Sequence, residues 1–278
     1  FDIAAPSISD ATLLAIKDAN SNSDLVGDTL TTYLVDYRGY GYIGINANLV
    51  NVGGDPASEA SKNLRKGIMT VLSVYRETVI NSYYGDRASV IQYPISNTSW
   101  AAPQPTDAGY QIAYSKDVNG ADIYNASMND EQKYEAALQA AVGFFQAAGY
   151  TWDGSKFTAA PEGAKMVYEF LVPGSGEQDH PAYGIAVGAS EALAKIGITL
   201  MVNDCTSTTW NNALEANTAE LWCAAWQSTV DPDMYQVYHS TNADGKGTNS
   251  NHYQVKDADL DALIIAGRGS SDTDFRKA

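Results

Sequence analysis

Cysteine is almost missing from this chain. Cys205 and Cys223 are the two present, too few for a disulfide scaffold and in no CxxC or Cys/His spacing that would suggest zinc. Histidine is equally scarce. His180, His239 and His252 lie far apart in sequence, so each reads as a solvated or capping side chain and no metal site is expected. Positive charge is in deficit: 17 Lys and Arg stand against 33 Asp and Glu, a formal charge of -16. That is the wrong sign for gripping a phosphate backbone or anionic lipid, which sets nucleic acid aside as a partner. No apolar run approaches the roughly eighteen residues of a membrane span. Neither a start Met nor a signal sequence precedes Phe1, the expectation being a mature chain or a piece of a longer one. Enzyme signatures are missing too: there is no GxSxG, no Walker loop and no GxGxxG after a strand, and the GSG at 174–176 is too short to imply phosphate. No catalytic residue and no cofactor is expected.

What is present is ordinary globular material, 45% hydrophobic and 10% aromatic with 23 Gly and 9 Pro, enough for one large domain or two small ones. A short amphipathic helix is expected over 9–19. The run TLTTYLVDYRGYGYIGINANLV alternates aromatic and β-branched residues with Gly, which predicts a long strand or hairpin. NVGGDPASEAS is a loop, and after it Leu64, Ile68, Val71, Leu72, Tyr75 and Val79 form one helical stripe for the core. Residues 89–127 are rich in Pro, Ser, Thr, Asn and Gly and predict an irregular surface segment. A second helix opens at Asn129, supported by Gln132 three positions on, and stops at Gly149.

The next hundred residues alternate most regularly. MVYEFLV at 166–172 is a strand; a helix follows with Ile185, Ala189, Leu193 and Ile196 inward; Gly197 ends it, and ITLMVN at 198–203 is a second strand. A short helix with Trp210 and Leu214 leads to the strand AELWCAAW. This βαβαβ order predicts an α/β fold with a mostly parallel sheet and right-handed crossovers. A C-terminal helix with Leu260, Leu263 and Ile264 is expected to cover the sheet. In open α/β sheets ligands collect at the carboxyl ends of strands, which points to 173–181, 204–209 and 227–233.

The stretch LWCAAWQSTVDPDMY, 221–235, is the most unusual of these. Trp226 closes a strand where a cleft would begin, and Trp210 opens the helix after the neighbouring strand. Both could be core or a ligand platform, since Trp offers a wide apolar face and an indole donor together. Trp222 shares strand parity with Trp226 and is most simply core. Asp233 reads as a turn or N-cap residue for a helix at 234–239.

The order of these pieces resembles a known family. NLRKGIMTVLSVYRETVINSYYG is similar to the helix R-x-A-…-A-I-D-R-x-x-I-…-G of the family 5 extracellular solute-binding proteins, the peptide-, nickel- and sugar-binding components of ABC importers, with Arg65, Arg76 and Gly85 in step. YRGYGYIGINAN resembles that family's crossing strand, EALAKIGITLMVND its helix and strand, and TTWNNAL, W-…-D-P-D and NHYQVKDADLDALI its later motifs. The resemblance runs over nearly the whole chain. It implies a periplasmic-binding-protein-like type II lobe, with 37–278 as the second lobe and 1–36 as the end of the first lobe and crossover; most of the first lobe would lie outside this chain.

By the same resemblance Trp210 and Trp226 line the ligand cleft, and the protein is an extracytoplasmic, periplasmic or lipid-anchored solute-binding component that delivers peptides to ABC permease subunits by hinge closure. One position departs from the pattern. Peptide-binding members place an Asp three residues after the strand-end Trp to pair with the ligand's free amine, and here that residue is Thr229. A buried ammonium without its carboxylate costs several kcal/mol, about the worth of a micromolar affinity. Either Asp231 takes the role, or the ligand is an oligosaccharide, an opine-like or an amine-blocked compound. A receptor that presents a signal peptide to a sensor is a further reading. Cys205 and Cys223 end and occupy adjacent strands, and the implied location would permit a disulfide.

Overall fold

The computed structural model describes residues 3–278. Ser9 caps helix α1 (Asp10–Ala19) by accepting from the Thr12 N–H. Strand β1 (Gly39–Ile45) is shorter than the alternating run suggested, because the stretch before it leaves Tyr33, Val35 and Tyr37 exposed with no partner strand to bury them. The long helical stripe is divided into α2 (Glu59–Val74) and α3 (Arg76–Tyr84). At the break the Arg76 guanidinium takes the Ser73 carbonyl and the Ile91 carbonyl, and Tyr75 stacks on Tyr134 at 4.5 Å. Residues 88–129 carry no helix or strand beyond an isolated bridge between Lys116 and Asp122, in line with their composition. Helix α4 (Asp130–Ala147) begins with the expected reciprocal cap between Asn129 and Gln132.

Two short strands, β2 (Thr151–Trp152) and β3 (Phe157–Ala159), form a ribbon. The regular unit follows: β4 (Val167–Val172), α5 (Pro181–Lys195), β5 (Thr199–Asp204), α6 (Ser207–Glu215) and β6 (Leu221–Gln227). After it come α7 (Tyr235–Tyr238), α8 (Ala258–Gly269) and α9 (Thr273–Lys277). The main sheet has the order β1-β6-β4-β5, with β6, β4 and β5 parallel and β1 antiparallel at one edge. The chain steps from β4 to β5 and then back across β4 to β6. Right-handed crossovers in opposite directions put α5 and α6 on opposite faces of the sheet.

The two faces differ in character. One is the main core, where Phe170, Val172, Leu221 and Cys223 meet Leu64, Ile68 and Val71 of α2, Phe145 of α4 and Ile185, Ala189 and Leu193 of α5. The other is aromatic. Alternate residues of β6, Trp222, Ala224 and Trp226, sit opposite Gly44, Tyr42 and Tyr40 of β1. Gly44 is there of necessity, since a Cβ would lie 2.4 Å from the Trp222 ring. Trp222 is fully buried, as its parity suggested.

This aromatic face is covered by α6 and by irregular chain leading to Tyr253, which packs on Trp222, Tyr42 and Tyr238. Helix α8 does not cover the sheet as expected. It packs on α7 and α9, with only Ile264 buried while Leu263 and Ile265 stay exposed, because the Tyr253 segment already occupies the sheet surface. Both cysteines are free and buried; burial pushes the Cys223 thiol up to about 12.

The covering segment is held by buried amides. Asn251 is fully buried; its Nδ2 donates to the carbonyls of Tyr238 and Val255, and its Oδ1 accepts from the Val255 N–H. Gln254 donates to Asn217, and Asn217 to Asn249. We expect Asn251→Ala to cost roughly 3 kcal/mol or more, because several buried partners lose their bonds together; a urea midpoint within error of the parent would show that this network does not hold the segment.

Candidate functional site

A cavity of about 540 Å³ opens on the aromatic face. Its floor is Tyr42 of β1 with Ala224 and Trp226 of β6, one wall is Trp210, Asn211, Leu214 and Glu215 of α6, and the other is Thr248 to Ser250 with His252. The hollow follows from the strand pattern. Ala224 is the small residue between two tryptophans on the same face, so the sheet surface dips there while Trp222 seals the bottom and Trp226 stands at the rim.

Each wall has a local cause. Thr206 caps α6 by accepting from the Thr209 N–H, and the one-turn spacing of Trp210 and Leu214 directs both to the sheet. The Trp210 indole donates from Nε1 to the Cys223 carbonyl at 2.9 Å, at a point where β6 has run beyond its pairing with β4. Trp210 is thereby pinned with its ring edge spent on backbone. Trp226 stacks on Tyr42, with centroids 6.4 Å apart and planes within 6°. Asn211 donates to Glu215 Oε1 at 2.9 Å, and Asn249 donates to the Glu215 carbonyl, fastening the far wall to the end of α6. Asn249 and Gln254 hold φ values of 51° and 56°, and their side-chain amides supply the bonds that keep the irregular wall in place.

Two polar atoms of the cavity residues are buried with no hydrogen-bond partner, Trp226 Nε1 and His252 Nδ1. An unmet buried donor or acceptor costs about 1–3 kcal/mol. Burial depresses the His252 pKa, opposed by the Leu214 carbonyl and by the charge of Glu215. The Trp222 ring meets His252 edge to face at 6.3 Å. Burial also raises the phenols of Tyr42, Tyr238 and Tyr253, so these hydroxyls stay protonated around the site.

Of the residues singled out on sequence, Trp210 and Trp226 come together in this cavity and Thr229 and Asp231 do not. Thr229 donates its hydroxyl to the Asp231 carbonyl at 2.7 Å, and the Asp231 carboxylate is ion-paired with Arg276. Asp233 accepts from the Tyr235 N–H, the turn role expected of it. Tyr42, Asn211, Glu215 and His252 were not foreseen. Tyr42 was legible only as an alternating strand residue, and the others join the site through long-range packing. The loop 173–181 at the end of β4 folds back on the strands, with Asp204 Oδ2 accepting from the Gln178 N–H and Ser175 donating to the Cys205 carbonyl. Among the described residues no group of three or more His, Cys, Asp and Glu is placed to hold a metal ion, and no helix is long and apolar enough to cross a membrane.

No protein-family model matches the sequence, and no curated protein does. The fold does match solved structures. The oligopeptide-binding protein AppA from Bacillus subtilis, in complex with a nonapeptide, is 20% identical with a TM-score of 0.58 over 87% of this chain and 42% of its own. The ABC transporter-associated periplasmic binding protein DppA from Helicobacter pylori, in complex with the peptide STSA, is 17% identical with a TM-score of 0.56 over 88% and 39%. NikA from Brucella suis, in complex with Fe(III)-EDTA, is 15% identical with a TM-score of 0.56 over 87% and 41%. At these identities the likeness is one of fold: the chain is built like part of each of these three proteins, and it spans about two-fifths of their length.

His252 and His180 both have depressed pKa values, in each case chiefly through burial. The unfolded chain therefore binds more protons than the folded one just below the ordinary histidine value of about 6.5. Stability should be full above that pH and fall as the pH drops through it. His180 adds to this, since its Nδ1 accepts the Ala182 N–H at the start of α5 and loses that role when protonated. Urea unfolding between about pH 7.5 and about pH 5 should show the decline, and replacing both rings by Gln should flatten it. An unchanged slope in the double variant would assign the pH dependence elsewhere.

Proposed function

We propose that this chain is the second lobe of an extracytoplasmic solute-binding protein that captures peptides and, by closing against a further lobe, delivers them to ABC permease subunits. Residues 37–278 form the lobe and 1–36 the end of the other lobe with the crossover. The observation that carries this reading is the meeting of Trp210 and Trp226, from different elements, at one cavity with Tyr42 and the polar side chains of Asn211, Glu215 and His252. A hollow that sets aromatic rings among polar side chains is suited to holding a small organic ligand. The exposed Tyr33, Leu34, Val35 and Tyr37 just before β1 support a crossover there, since such a run is normally covered. Hinge closure around the ligand supplies the contacts that one lobe lacks.

A second reading is favoured by one observation. Thr229 stands where peptide-binding members carry an Asp, and Asp231 is occupied by Arg276, so neither offers a free carboxylate to a ligand ammonium. That favours an amine-blocked peptide, an opine-like compound or an oligosaccharide, each needing stacking and neutral polar groups only. A signal-peptide receptor uses the same lobe and differs in its partner.

Native mass spectrometry of the whole protein as purified tests the class of ligand. A ladder of masses that fragment as peptides supports the first reading; one mass that fragments as a sugar or a blocked amine replaces it with the second. We expect Trp226→Ala to weaken binding in the whole protein by about 1–3 kcal/mol with cooperative melting retained; a melt that loses cooperativity would make Trp226 a core residue. Residues 1–278 alone should bind more weakly than micromolar, and submicromolar affinity of the isolated chain would remove the need for a second lobe.

A further inference from the structure

We infer that the Glu215 carboxylate is the charged contact of the cavity and that it takes a protonated amino group of the ligand beside the indoles of Trp210 and Trp226. This rests on the binding role proposed above and chooses between its two readings, in favour of a ligand with a free amine.

The charge of the cavity is one-sided. Glu215 is the one acid among the lining residues, and no Lys or Arg joins it there. Burial depresses the His252 pKa, so that ring adds no positive charge at neutral pH. Asp107, Asp231 and Asp233 are each partnered by a cation, whereas Glu215 takes part in none of the ion pairs of the described residues. Its place on α6 deepens the imbalance. It is the last residue of a helix whose final turn has no basic side chain, and the carbonyl end of a helix is itself partly negative. A carboxylate left unpaired there works against the fold, and a cation in the cavity relieves it.

The carboxylate is also positioned and reachable. Trp210 and Leu214 face the sheet, so Asn211 and Glu215, each one position further on, share the adjoining side of the helix, where both are exposed and border the cavity. Asn211 Nδ2 donates to Glu215 Oε1 at 2.9 Å, and Asn249 Nδ2 donates to the Glu215 carbonyl at 2.8 Å, which fixes side chain and backbone together. Oε1 is thereby spent, and no hydrogen bond of the described residues uses Oε2. One free oxygen suits a compact ammonium better than a guanidinium, whose fork needs both oxygens of a carboxylate. A carboxylate or phosphate on the ligand would meet only like charge. Indole faces attract a cation as well, and Trp210 is held in place for this by its bond to the Cys223 carbonyl and Trp226 by its stack on Tyr42.

The test uses the isotope-labelled chain and four probes at millimolar concentration: trialanine amide, whose one charge is its amino group; N-acetyl-trialanine amide, which has none; cadaverine, an amine without a peptide; and maltotriose. At neutral pH and low salt trialanine amide should shift the signals of 211–215 and the indole N–H signals of Trp210 and Trp226. Its affinity should be about tenfold that of the acetylated form, the worth of one charged hydrogen bond, and added salt should erase most of the difference. Glu215→Gln keeps an acceptor for Asn211, and it should remove both the preference and its salt dependence without lowering the melting midpoint. Competition by cadaverine would assign the site to amines at large, and its failure to compete would assign it to amines carried on a peptide. Equal affinity for the free and acetylated peptides, or an amine preference that survives Glu215→Gln, would overturn the inference and leave a ligand site in place. Shifts with maltotriose alone would overturn it in favour of the second reading. No shift at any cavity residue with any probe would overturn both it and the binding role.

Discussion

The pairing of β1 with β6 is the constraint from which the candidate site follows. Tyr40, Tyr42 and Gly44 acquire a common surface with Trp226, Ala224 and Trp222 only because these strands lie antiparallel in this register. A slip of one residue would carry every one of those rings to the opposite side of the sheet, into the aliphatic core between α2 and α5. The register is protected by size on both faces: Trp222 needs the bare backbone of Gly44 over its ring, and Ile43 and Ile45 need the apolar side. The aromatic face is thus a consequence of packing before it is a surface for anything else.

The βαβαβ unit and the cap of α4 were legible because their signals are local. Hydrophobic period, a capping pair and a stopping glycine each act within a few residues, and β4, α5, β5, α6 and β6 appear where those signals place them. The break at Tyr75 was not legible, since it depends on Arg76 reaching a carbonyl at Ile91. Helix α8 shows the same limit. Its apolar residues advertise a buried face, but the sheet surface they would cover is taken by Tyr253 and its amide-anchored neighbours, a competition between distant segments that no local pattern records.

The candidate site divides in the same way. Trp210 and Trp226 could be found from the ends of elements, where a wide apolar side chain has no reason to be unless something packs on it. Thr229 and Asp231 looked equivalent to them by position, yet lie in a turn whose hydrogen bonds and ion pair are internal. His252 was hidden because it reaches the cavity only through the way the chain closes over Trp222.

The Asn46 side chain donates to the Asn217 carbonyl across 171 residues of sequence, next to the end of the β1–β6 ladder. A ribosome adding about 5–20 residues per second would release β1 roughly ten to thirty seconds before its partner strand exists. During that interval the strand is an aromatic, β-prone edge with nothing to pair with, and its glycines at 39, 41 and 44 lower its tendency to pair wrongly by weakening it as a strand in isolation. The feature that makes room for a tryptophan in the finished protein also keeps the nascent chain quiet until that tryptophan arrives.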